Sequence, residues 1–92
     1  MRRFADVISR QLDFFEGEDL VVEVRDAKAK YDQAGRDEAE EAFGDYMDVV
    51  DAAKDALADM RDRYASTLDG ETAEEYEAAF ERAARKRWRW LG

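Results

Sequence analysis

The chain contains no cysteine, no histidine, no proline and no asparagine. Without cysteine or histidine there is no disulfide scaffold, no thiolate or imidazole metal site, no histidine general base and no cysteine nucleophile. The groups left for chemistry are carboxylates, lysine, arginine, tyrosine and the hydroxyls of Ser9, Ser66, Thr67 and Thr72. A non-enzymatic protein with no cofactor and no metal is the expectation. Long apolar runs are missing as well. Stretches such as Leu20-Val21-Val22 fall far short of a bilayer span or the apolar segment of a secretion signal. The chain is therefore expected to be soluble and cytoplasmic. Bases are scarce: fifteen stand against twenty-four acids, a net charge of −9. On average that repels nucleic acid and anionic membranes, so neither is an expected partner, whereas a basic protein is compatible with it.

What is present is helix-forming. Ninety-two residues allow one domain with a modest core, here taken as residues 1–92. Only five glycines interrupt segments dominated by Ala, Glu and Arg. Three of them coincide with breaks in apolar periodicity and precede a capping-type residue: Gly17 before Asp19, Gly35 before Asp37, and Gly70 before Thr72. Helices are predicted over about 3–16, 20–34, 38–68 and 73–91. The first aligns Phe4, Val7, Ile8, Leu12 and Phe15. The second has a thinner, alanine-rich face, with Asp26 and Lys30 as an i,i+4 pair on its wet side. A continuous helix through Gly35 is the alternative, disfavoured because the stripe slips there by five residues, from Ala34 to Ala39.

The third segment is the most regular. Ala39, Phe43, Tyr46, Val50, Ala53, Leu57, Met60, Tyr64 and Thr67 alternate steps of four and three. With Phe43 at heptad position a, Ala42, Val49 and Ala56 fall at g and widen the face, which suits a bundle rather than a two-stranded coiled coil. Thr72 and Glu75 have capping-box spacing, and Asp37 and Glu40 a weaker version of it. The fourth segment aligns Tyr76, Phe80, Ala84, Trp88 and Leu91. The predicted fold is all-α, an elongated antiparallel bundle of three to four helices built on the long central one. The second helix should fold back along its first half, the fourth along its second, and the first should cover the second and part of the third. One short helix cannot shield so long a face. Homodimerisation through Phe43, Tyr46, Val50, Leu57, Met60 and Tyr64 is therefore expected, an elongated monomer being the alternative.

Two charged constellations stand out. Asp45, Asp48, Asp51, Asp55, Asp59 and Asp62, together with Asp37, Glu38 and Glu41, all fall opposite the apolar face. This ridge is a docking surface for a basic, nucleic-acid-binding partner, or simply a solvated face that keeps the chain in solution. Outward acids without histidine do not resemble an inward di-metal carboxylate site. In the tail, Arg82, Arg85, Lys86 and Arg89 with Trp90 form a basic stripe. Three accounts fit it: stabilisation of the helix C-terminus, docking on an acidic ridge of the same or a neighbouring chain around Asp48 to Asp55, or an exposed patch for phosphates. Gly44, on the wet face, permits close approach of another backbone or is tolerated drift. The four tyrosine rings are expected at core positions with their hydroxyls at the rim.

Overall fold

The computed structural model describes residues 3–92 and is all-α. Helix α1 spans Ala5–Glu16, α2 Asp19–Gln33, α3 Ala39–Ala65 and α4 Gly70–Arg87, and a short 3-10 turn follows at Arg89–Leu91. The chain is an elongated antiparallel bundle on the central α3. Its extents are 51 × 20 × 19 Å and its radius of gyration is 15.4 Å, against about 12 Å for a compact globule of this length.

The helix ends show which local signals decide. Between α2 and α3 the chain breaks at Ala34, whose backbone is extended (φ −67°, ψ 137°). Gly35 does not use the left-handed region. The residue after α1, Gly17, is itself right-handed, and its N–H and that of Glu18 close the turn on the carbonyls of Phe14 and Phe15. None of the three expected capping residues acts as a cap. Glu18 and Glu38 precede α2 and α3 with no side-chain cap hydrogen bond, so the Asp37/Glu40 spacing forms no box. At α4 the cap is Asp69, whose carboxylate accepts the Thr72 N–H at 2.9 Å, and the helix starts at Gly70, two residues before the expected Thr72 cap. Because Asp69 and Thr72 are three residues apart, the carboxylate satisfies an orphan N–H that a Thr72 cap would have left to water. α3 stops at Ala65, short of 68. The Ser66 and Thr67 hydroxyls donate to the Arg63 and Tyr64 carbonyls, and the Thr67 and Leu68 N–H groups bond three residues back. These local bonds consume the carbonyls that another helical turn needs.

α4 also ends early. Trp88 is extended (φ −124°, ψ 114°), and the chain turns at once into Arg89–Leu91. In a continuing helix Trp88 and Trp90 would lie about 200° apart, so one indole would face water. The break brings them together, ring centroids 5.8 Å apart, with Trp88 buried and Trp90 half-buried against the core.

Packing follows from lengths. α2 runs antiparallel to α3, so that Tyr31 in its last turns meets Phe43 and stacks on Tyr46 near the start of α3. α4 returns along the other half of α3, where the Tyr64 and Tyr76 rings meet at 4.8 Å and Arg61 pairs with Glu81. The sequence predicts that α1 covers α2 and part of α3, but α1 does not cover α2 and packs instead on α4. The two run in the same direction, with Phe4 edge-on to Tyr76 at one end and Phe15 edge-on to Trp88 at the other. Aromatic contact decides this. α4 and its C-cap offer large rings at 76, 80 and 88, whereas the one ring of α2, Tyr31, is taken up by Phe43 and Tyr46 of α3, and each aromatic pair adds roughly 0.5–1.5 kcal/mol beyond its buried area. Arg87 strengthens the seam by reaching Asp13 and Glu16, and the buried Tyr76 donates its hydroxyl to Gln11 Oε1 at 2.8 Å. Burial raises the Tyr76 pKa.

The molecule therefore has two unequal ends. α4, about 27 Å long against about 40 Å for α3, cannot reach the first turns of α3, which pair with α2 as a two-helix arm. Residues 18–59, which take in that arm and the part of α3 leading into the bundle end, hold fourteen acids against five bases and so the whole net charge of −9; residues 1–17 and 60–92 each balance to zero.

Candidate interaction surfaces

The apolar face of α3 is spent unevenly. Val50, Ala53 and Leu57 are buried inside the chain, and Tyr46, Met60 and Tyr64 are half-buried against the core. Phe43, near the tip of the arm, remains 45% exposed. Where α1 gives way to α2, the side of α3 is incompletely covered. Met60 and Tyr64 open there, with Ala56 and Thr67, into a cleft whose opposite wall is Gln11, Phe14, Phe15 and Leu20. Phe14 is 65% exposed, the most exposed large apolar side chain among the described residues. Glu18, Asp19, Asp59 and Arg63 rim the opening, so its charge is mixed.

Phe14 was not among the apolar positions read from the sequence. It lies off the stripe of Phe4, Ile8, Leu12 and Phe15, and a large aromatic displaced from its own helix stripe is the signal that was available. The same holds for Val22, 49% exposed on the outside of α2.

The acidic ridge is exposed along its length: Asp45, Asp48, Asp51, Asp55, Asp59 and Asp62 all face solvent, as do Asp37, Glu38 and Glu41. Its C-terminal end is paired locally, Asp59 with Arg63 at 3.0 Å and Asp62 with Arg61 at 2.9 Å. Asp45, Asp48, Asp51 and Asp55 make no ion pair among the described residues. Arg61 has its side chain mostly covered. Hydrogen bonding to Asp62, and then to Glu81, raises its pKa further and fixes its charge between α3 and α4.

The basic end of α4 does not lie on the ridge of its own chain. Arg85 pairs with Glu81 one turn back, and the cation that crosses to another helix is Arg87, which reaches α1. Arg82, Lys86 and Arg89 are exposed and form no ion pair among the described residues. The ridge contact fails because α4 presents its bases away from α3 and because α1, carrying Asp13 and Glu16, is nearer. Trp90 is tucked onto Trp88 instead of standing free beside the bases. On α2 the expected Asp26–Lys30 pair is replaced by Lys28–Asp32 at 2.8 Å, which raises the Lys28 pKa. The expected close approach at Gly44 is not made within the chain, since a Cβ there meets nothing within 4 Å.

Among the described residues no group of three or more acidic side chains is placed to hold a metal ion, and no helix is long and apolar enough to cross a membrane. Comparison with protein-family models, with curated proteins and with solved structures found no match.

Proposed function

We propose that this protein is a non-enzymatic helical assembly module that binds a second copy of itself through the cleft between α1 and α3. The observation that carries the reading is Phe14, 65% exposed beside Leu20, Ala56, Met60 and Tyr64. An aromatic ring held at the mouth of an apolar cleft is self-complementary under a twofold axis: each copy's Phe14 enters the other's cleft, the isologous arrangement commonest among oligomers. Aromatic anchors seated in such pockets carry most of the energy of small interfaces. Light scattering behind size exclusion, at low and high salt, tests the reading. A dimer that persists at high salt and becomes a monomer in Phe14→Ser, with helical content unchanged, is the expected result; a monomer at every concentration refutes it.

A second reading has its own observation: Asp45, Asp48, Asp51 and Asp55 face solvent without an ion pair among the described residues, in the segment 18–59 that carries the net charge of −9. Such a surface suits an acidic antagonist that occupies the cationic groove of a nucleic-acid-binding protein. A monomer in the scattering experiment, joined to salt-sensitive binding of a basic protein, favours this reading over the first.

A further inference from the structure

On the other flank of α1 a second groove runs between α1 and α4. Small side chains, Ala5 and Ser9 on α1 and Ala79 and Ala83 on α4, form its walls, and the buried Phe4, Ile8 and Leu12 lie beneath them. Ser9 and Phe14 stand about 140° apart around α1, so this groove is separate from the cleft. Its charge is opposite to that of the protein. Arg3, Arg82, Arg85, Lys86 and Arg87 line it against the single carboxylate Glu75, in a chain of net charge −9. Most of these cations are engaged: Arg3 with Glu75, Arg85 with Glu81, and Arg87 with Asp13 and Glu16. Arg82 and Lys86 are not paired among the described residues. They stand one helical turn apart on α4, beside Ala79 and Ala83.

We infer that this groove is a docking site for an acidic amphipathic helix of a partner protein. Small-residue walls leave holes into which leucine-sized side chains of a third helix fit, and two unpaired cations one turn apart match carboxylates spaced i,i+4 along that helix. The recessed floor argues against a membrane. Ile8 and Leu12 are buried, and the protruding apolar groups of this chain lie elsewhere, at Phe14, Val22 and Phe43. Nucleic acid has no use for the apolar floor and is repelled by the arm. A second copy lacks the required helix. The α3 ridge has carboxylates without an apolar stripe, and the outside of α2 offers one large apolar side chain, Val22, on a face that also carries Lys30.

The test uses the Phe14→Ser protein, in which self-association through the cleft is removed, and a fluorescent helical peptide of about five turns with leucines at i, i+4 and i+7 flanked by glutamates. Anisotropy is measured beside the same peptide with glutamine flanks, a labelled DNA duplex and phosphatidylserine vesicles. The glutamate peptide is expected to bind about threefold to tenfold tighter than the glutamine one, as two exposed ion pairs allow. The preference should fade with salt and disappear in Arg82→Gln/Lys86→Gln, while Ser9→Leu, which fills the groove at an exposed position, should remove binding of both peptides. Equal binding of the two peptides, or none, overturns the inference. So does binding of DNA, vesicles or a labelled copy of the protein itself that depends on Arg82 and Lys86.

Discussion

Leu57 and Phe43 occupy the same heptad position two heptads apart, and the structure assigns them opposite weights. Leu57 is 3% exposed, within the core; Phe43 is 45% exposed on the arm. Truncating a buried leucine to alanine removes its transfer free energy and leaves a cavity, a loss of about 2–5 kcal/mol. A chain of this length has roughly 5–14 kcal/mol of total stability, and each kcal/mol moves its melting temperature by about 4–8 °C. Leu57→Ala should therefore lower the melting temperature by about 12–24 °C for a central value near 3 kcal/mol. Phe43→Ala, although it deletes more atoms, gives up only about half the burial of its ring and should cost about 1–1.5 kcal/mol. Calorimetric melting of both variants at one low protein concentration, where association contributes little, gives the comparison. Equal costs, or a larger cost for Phe43, would show that the arm is as deeply buried as the bundle end and would refute the packing described here.

Gly44→Ala should raise stability by up to about 1 kcal/mol, since the position is mid-helix, has no positive φ and has open space where the Cβ goes; destabilisation, read by denaturant melting, would mean that another backbone approaches there. The Asp69 carboxylate is held below the usual carboxylate range by the Thr72 N–H. Its folded pKa is thus depressed, so its contribution to stability is present above the unfolded value and is lost as pH falls through the folded one. Asp69→Ala should speed hydrogen exchange in the first turn of α4 at neutral pH, Asp69→Asn much less, and the gap between the unmodified chain and Asp69→Ala should narrow in acid, where protonation weakens the acceptor; a gap unchanged by pH would exclude the carboxylate as the cap.

The long α3, its partners along each half and its elongated shape were legible because the four-three spacing from Ala39 to Tyr64 admits one reading. The end signals misled where more than one residue had capping chemistry. Thr72 has the capping-box spacing to Glu75, but Asp69 three residues earlier accepts the Thr72 N–H and starts the helix at Gly70. The partner of α1 was misjudged because periodicity reports which face is buried, not against what, and the preference came from rings at Phe4, Phe15, Tyr76 and Trp88 meeting across 72 or more residues of chain. Phe14 escaped for the converse reason, since a stripe analysis discards what lies off the stripe. Charge placement was legible in sign but not in destination: the acids of α3 are outward as expected, while the bases of α4 answer to α1 through Arg87, which lies within the basic tail but off the stripe of Arg82, Arg85, Lys86 and Arg89.

The extended backbone at Trp88 leaves its mark on the protein's optical properties. By folding Trp90 back onto Trp88 it gathers both indoles at the bundle end, and the arm is left without an indole, its phenols being Tyr31 and Tyr46. Only the bundle end thus carries an indole chromophore. Indole emission follows the seam between α1 and α4 and is blind to the arm, whereas peptide ellipticity counts every helix. Loss of ellipticity ahead of any indole change means that the charged arm opens first; the two signals moving together mean that α3 transmits its order from one end of the molecule to the other.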